Sequence, residues 1–127
     1  MYIPLDHHSG EPIYRQIVEA IKFRIASGQL VAGAQLPSIR ELGQALVVNP
    51  RTVIKAYEEL QQDGVVVLQH GRGVFVTEPR LTLPPRDRKR RLQELARRLL
   101  AEAACLGAGP EEVLEILRST VGKMEPV

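Results

Sequence analysis

The stretch from Leu36 to Thr77 holds two short helical patterns with almost nothing between them, then switches abruptly to a β-branched pattern broken by glycines. Few folds accommodate that order. Ser38-Ile39-Arg40-Glu41 opens the first helix as a capping box, in which the Ser hydroxyl serves the third helical amide while the Glu side chain reaches back. Leu42, Ala45 and Leu46 give it an inner face, and the nearby Pro50 requires it to stop near Val47. The second helix starts at once, with Asn49 suited to the N-cap, Pro50 to the first helical position, and Val53, Ala56, Tyr57 and Leu60 repeating at helical spacing until Gly64. Two helices joined by a turn of about four residues, the second polar at its exposed start, are the sequence form of a helix-turn-helix. Val65–Gln69 and Val74–Thr77 then read as two strands around the turn His70-Gly71-Arg72-Gly73. Behind a helix-turn-helix, such a hairpin tip is a candidate wing, because its glycines admit close approach to phosphate and Arg72 adds charge.

Upstream, Pro12 opens a helix whose stripe is Ile13, Ile17, Ile21 and Ile25, joined by Tyr14 and Val18 and ended by Gly28. Gly28 to Leu36 reads as a loop turning at Gly33. Downstream, Pro79, Pro84 and Pro85 mark residues 79–86 as a linker. Asp87 can then cap a helix bearing Leu92, Leu95, Leu99, Ala103 and Leu106 at near coiled-coil spacing. A last helix starts near Pro110, favoured by Glu111 and Glu112 in its first turn, and carries Val113, Leu114, Ile116, Leu117 and Val121. The expected fold is mainly α with a small β-hairpin: a winged helix-turn-helix domain over 1–78, the linker 79–86, and a helical element over 87–127.

A helical hairpin this short cannot bury both apolar faces alone, whereas two copies can. Residues 87–127 are therefore read as a homodimerisation element, with Leu92, Leu95, Leu99, Ala103, Leu106, Val113 and Leu117 at the interface. The alternative is that they pack back on the first domain as a third layer.

The formal charge of +2 conceals an uneven distribution: residues 1–78 hold 7 Lys or Arg against 8 Asp or Glu, while residues 80–98 hold 8 against 2. If the first domain binds DNA, its few cations must converge on one face, since phosphate binding depends on local contacts. The run Arg86, Arg88, Lys89, Arg90 and Arg91 opposes the dipole of the helix it begins. Phosphate, Glu94, acids of a partner chain and plain solvent are the alternatives for it.

No apolar run reaches the roughly 18 residues that span a bilayer, and the start MYIPLDHHSGEP lacks a signal-peptide pattern, so no membrane role and a cytoplasmic location are expected. The single Cys105 reads as a small core residue of its helix. His7 and His8 beside Asp6 do not make a metal site, because adjacent residues of an extended chain point opposite ways. No nucleophile has an evident base and no glycine loop opens a helix in the P-loop manner, so neither an enzyme nor a cofactor is expected.

Leu36-Pro37-Ser38-Ile39-Arg40-Glu41-Leu42, Asn49-Pro50-Arg51-Thr52-Val53, Ala56-Tyr57-Glu58-Glu59-Leu60, Gly64 and His70-Gly71-Arg72-Gly73-Val74-Phe75-Val76 together resemble the GntR family of bacterial repressors. The likeness covers most of residues 10–77. The short stretch after the wing resembles the YtrA-like subfamily, whose members are often encoded beside ABC transporters and use that stretch for dimerisation more than for ligand capture. What the resemblance implies is a transcription regulator, by default a repressor, with DNA contacts at Ser38, Arg40, Asn49, Arg51, Thr52, Lys55, His70, Gly71 and Arg72.

The residues themselves agree with much of this. Arg51 and Thr52 fall in the first turn of a recognition helix, where Arg can hold guanine with two donors and Thr can offer its methyl to thymine, and Lys55 one turn on suits phosphate. A homodimer would place two such helices on an inverted-repeat operator in double-stranded DNA, its half-sites about one helical turn apart. A small-molecule effector stays open as a partner, although no constellation of polar residues marks a pocket for one. A protein-interaction module on the same fold is the rival reading, against which stand the exposed polar residues and an aromatic content of 4%.

Overall fold

The computed structural model describes residues 1–78 and 84–124. These form two units, the first holding α1 (Ile13–Ala26), α2 (Ile39–Leu46), α3 (Pro50–Gln62), β1 (Val66–Gln69) and β2 (Gly73–Val76), the second α4 (Pro85–Cys105) and α5 (Pro110–Met124). This is the expected class of five helices and one antiparallel hairpin.

The stripe expected on α1 is the one that packs, with Ile17, Val18 and Ile21 sealed from solvent. They meet Leu42 and Leu46 of α2, Val53, Ala56, Tyr57 and Leu60 of α3, and Val66 and Val76 of the hairpin. Burying each large aliphatic side chain here contributes about 1.5–3 kcal/mol. Two ion pairs tie the outer edges of α1 and α3: Arg15 to Glu59, and Lys22 to Asp63 at 2.8 Å.

Both caps expected within the helix-turn-helix form. Ser38 accepts from the Glu41 amide at 3.0 Å while the Glu41 carboxylate accepts from the Ser38 amide at 3.0 Å, completing the capping box of α2. Asn49 accepts from the Arg51 amide at 2.9 Å and Pro50 takes the first position of α3. The turn between them holds Val47 in the left-handed region at φ 55°, a costly conformation for a β-branched residue. Gly43 on α2 explains why the helices can come so close: a Cβ there would stand 3.3 Å from the Val48 carbonyl oxygen.

Three features of this unit escape the sequence reading. Ile3 is a core residue, and the segment before α1 is stapled down by Gln16, whose side-chain amide donates to the Asp6 and Glu11 carbonyls at 2.8 and 2.9 Å. The loop expected over Gly28 to Leu36 turns at Gly33 but then lies along β2: Leu36 donates to Val74 at 2.8 Å, Val76 to Ala34 at 2.8 Å, and Gln35 forms a bridge with Phe75. Gly73, expected in the turn, is instead paired with Gln69.

The second unit corrects one boundary, one cap and one burial. Helix α4 begins at Pro85, inside the segment read as linker, with Pro84 as its N-cap residue, so Asp87 lies in its first turn and does not cap it. The linker residues 79–83 lie outside the described residues. Cys105, read as a core residue, is exposed. No helix of the described residues is long and apolar enough to cross a membrane.

Candidate nucleic-acid interface

Residues 35–38 connect the three parts of the expected reading surface. Gln35 donates from Nε2 to the Arg72 carbonyl at 2.9 Å, holding the hairpin tip. The Pro37 carbonyl accepts from the Tyr57 hydroxyl at 2.7 Å, fixing α3 to the same segment. Ser38 caps α2. One extended stretch thus sets the start of α2, the recognition helix and the wing relative to each other. Burial pushes the Tyr57 phenol well above its ordinary range, with the Glu41 carboxylate as a second cause, so Tyr57 stays a hydrogen-bond donor at any physiological pH.

The wing tip is shaped by its glycines. The turn between β1 and β2 is His70-Gly71-Arg72, with Gly71 at φ 76° and Arg72 donating its amide to Gln69 at 3.0 Å. Gly73 sits at φ 126°, a backbone conformation that strains any residue with a side chain, and a Cβ there would fall 2.5 Å from the Gln35 amide nitrogen and displace the bond that anchors the tip. His70, Gly71 and Arg72 all face solvent.

On α3, Arg51, Thr52 and Lys55 line one shallow groove with Ile13 and Tyr14 of α1. Lys55 Nζ lies 4.1 Å from the centre of the Tyr14 ring, a cation–π contact that orders a side chain otherwise free to sample many rotamers. Tyr14 was legible in the sequence only as part of the α1 stripe; its link to Lys55 needs both helices in place. Ser38, Arg40 and Asn49 are exposed beside this groove's helices, though the Ser38 hydroxyl oxygen and the Asn49 carbonyl oxygen already serve as caps, leaving a hydroxyl proton and an amide NH2 to donate.

The ion pairs of the first unit divide its cations sharply. Arg15 engages Glu11, Glu19 and Glu59, Lys22 engages Asp63, and Arg24 donates to the Tyr2 carbonyl. Among the described residues, Arg40, Arg51, Lys55 and Arg72 have no carboxylate within 4.0 Å. Arg40 does not pair with Glu41 or Glu11, because the first is spent on the capping box and the second faces Arg15. Those four cations sit on α2, the first turns of α3 and the wing.

The model for the gntR family of bacterial regulatory proteins matches residues 13–76, the span that carries this arrangement. The chain belongs to the GntR family. As a GntR regulator it is a DNA-binding transcription factor and not an enzyme. It is 33% identical to the HTH-type transcriptional repressor YtrA of Bacillus subtilis (strain 168) over 116 residues, 91% of this chain and 89% of that one. Its structure is similar to that of a transcriptional antiterminator from Listeria monocytogenes EGD-e, with TM-score 0.81 and 30% identity, covering 100% of this GntR chain and 96% of the other. The DNA-binding domain of AraR in complex with operator ORE1 matches with TM-score 0.52 and 30% identity, over 61% of this chain and 94% of that domain.

The helical pair α4–α5 presents a different surface. Ala103 and Val113 are its buried hydrophobics, at 8% and 7% exposure. Of the other expected interface residues, Leu92 and Leu95 are about three-fifths exposed, Leu99 and Leu117 about two-fifths, and Leu106 is 86% exposed. Leu99, Ala103, Leu106, Val113 and Leu117 line an apolar cavity of about 370 Å³ between the two helices.

Proposed function

We propose that this GntR regulator is a repressor that binds an inverted-repeat operator as a homodimer, reading it with Ser38, Arg40, Asn49, Arg51, Thr52, Lys55, His70, Gly71 and Arg72. The carrying observation is that, of the winged unit's cations, Arg15 and Lys22 are held by carboxylates and Arg24 by the Tyr2 carbonyl, while Arg40, Arg51, Lys55 and Arg72, on α2, the start of α3 and the wing, have no carboxylate within 4.0 Å among the described residues. A basic group unpaired in the free protein is available to phosphate or guanine without first breaking an ion pair. Arg51 and Thr52 meet base edges; Lys55, held over Tyr14, meets phosphate.

The homodimer reading rests on the exposed leucines of α4 and α5, which a second copy of the same pair would cover. Likeness to the YtrA repressor along most of both chains supports repression and, through the subfamily resemblance, a neighbouring transporter operon as target. The protein would act in the cytoplasm.

Fluorescence anisotropy with DNA from the protein's own upstream region, at two salt concentrations and with random duplex as competitor, tests the reading. It expects preferential, salt-sensitive binding of two protomers per site. Arg51→Ala should cost about 1 to 3 kcal/mol of operator binding and leave dimerisation intact. Absence of binding at low salt would instead favour a protein-interaction module.

A further inference from the structure

Helix α4 carries a second, separate basic surface. Arg86, Arg90, Gln93 and Arg97 follow one another at spacings of four, three and four residues, which sets them in a single stripe about 16 Å long at 1.5 Å rise per residue. Leu92 and Leu99 each follow a stripe arginine by two residues, about 200° further around the helix, so the leucine seam lies opposite. The cavity lined by Leu99, Ala103 and Leu106 fixes which side faces α5, and the arginines look the other way.

The carboxylates nearby do not neutralise the stripe. Asp87 meets Arg90 at 3.4 Å with both side chains well exposed, a weak pair; Glu102 is engaged with Arg98 at 3.4 Å; and Glu94, four residues after Arg90 and three before Arg97, has no cation within 4.0 Å among the described residues. Among the described residues, Arg86 and Arg97 have no carboxylate within 4.0 Å, nor do Arg88, Lys89 and Arg91. Arg86 and Arg88 moreover occupy the first turn of α4, where cations are disfavoured by the helix dipole and Pro84 supplies no side-chain cap. Helix stability alone does not account for them there.

We propose that the Arg86–Arg90–Arg97 stripe is a second DNA contact, binding the phosphates of duplex that flanks the operator; the proposal rests on the operator-binding dimer reading above. Burying the leucine seam in a dimer leaves both stripes outward and available, and DNA is the polyanion this protein meets. An anionic membrane fits the geometry less well. A helix lying in a bilayer surface sinks its apolar face and flanks it with cations at the headgroups; Lys89, Arg91 and Arg98 flank the leucines in that way, but seating the leucines would turn Arg86, Arg90 and Arg97 away from the lipid, and a dimer that covers the leucines leaves no apolar face to insert. The contact is backbone-directed and reads no sequence.

The test uses the full chain and the triple variant Arg86→Gln, Arg90→Gln, Arg97→Gln, since glutamine keeps the helix propensity. Each is titrated by anisotropy across a salt series on two duplexes: one cut to the two half-sites, one extended at both ends. Circular dichroism and sedimentation confirm that the variant is folded and dimeric. On the extended duplex the salt slope of the variant should fall by about 2 to 3 for each protomer, at about 0.9 per phosphate, and on the trimmed duplex it should not change. Operator binding with the same slope for both proteins on the extended duplex overturns the stripe as a DNA contact and leaves the operator reading standing. Wild-type binding to phosphatidylserine vesicles that the triple variant loses, with DNA slopes equal, overturns it in favour of a membrane. Failure of the wild type to bind any duplex at low salt overturns both readings together.

Discussion

In the winged unit Ile17, Val18, Ile21, Leu42, Val53 and Leu60 are sealed from water, whereas in the helical pair only Ala103 and Val113 are buried among the described residues and Leu92, Leu95, Leu99, Leu106, Leu114 and Leu117 stay between 41% and 86% exposed. Charge follows the same division. Among the described residues, the winged unit spends Arg15 and Lys22 on Glu59 and Asp63 and keeps Arg40, Arg51, Lys55 and Arg72 free of carboxylates on α2, the start of α3 and the hairpin tip, while α4 leaves most of its cations unpaired. A core that closes within one chain makes a unit that folds alone; apolar faces left open make a unit that needs a partner.

The largest expected effect comes from attacking the open face. Leu95→Asp combined with Leu117→Asp should give a monomer by sedimentation velocity and lower operator affinity by about 10²- to 10⁴-fold, because two linked reading heads gain from effective concentration and one does not. Thermal unfolding of the winged unit should not move. A dimer that survives both charges would break the comparison.

Next comes a paired truncation read by urea unfolding. Leu42→Ala in the closed core should cost about 2–5 kcal/mol. Leu95→Ala, measured dilute enough to be monomeric, should stay within about 0.5 kcal/mol, as for a surface position. Equal losses would mean that the helical pair has a core of its own.

Val47→Asn sharpens the account of the closed unit at its one strained joint. Asparagine tolerates the left-handed region that valine resists, so the melting temperature should rise by the equivalent of up to about 1 kcal/mol. A drop in stability would show that the 88% exposed Val47 side chain has a packing role.

The smallest effect concerns pH. The Ser38 backbone amide, helped by the Ser38 hydroxyl, holds the Glu41 carboxyl below the usual carboxylate range. The folded state therefore binds fewer protons here than the unfolded chain. The capping contribution is fully present above the unfolded pKa and is lost as pH falls through the lower, folded one. Urea midpoints across an acid series should fall less steeply for Glu41→Gln than for the wild type; superimposable slopes would deny Glu41 that share.

What the sequence made legible was local. Ser38 with Glu41, Asn49 with Pro50, and the glycines of the hairpin each announce themselves through a cap or turn whose partners lie within a few residues. The features that escaped depend on pairings across the fold. Nothing about Gln35 as a residue indicates that it will meet the Arg72 carbonyl, 37 positions away. Gln16 and Ile3 look equally ordinary until α1 and the preceding segment come together. Gly43 reads as a weak point in a helix, and only the approach of Val48 and Pro50 gives it a purpose. Pro85 punctuates the chain as a linker residue would, yet proline is equally suited to the first turn of a helix.

The bond from Gln35 to the wing has a thermodynamic consequence. The hairpin tip is tied, through the Gln35 side chain, to the stretch that also anchors α3 and caps α2, so its swing is restrained by a bond already made in the free protein. Its ordering entropy is lost when the protein folds, not when it meets its target. The ordering left for the moment of association falls mainly on side chains such as Arg72, each at about 0.5–1.5 kcal/mol. If the tip contacts DNA as proposed, a wing already set would adapt less to a misplaced phosphate, and a poorly shaped site would be penalised more.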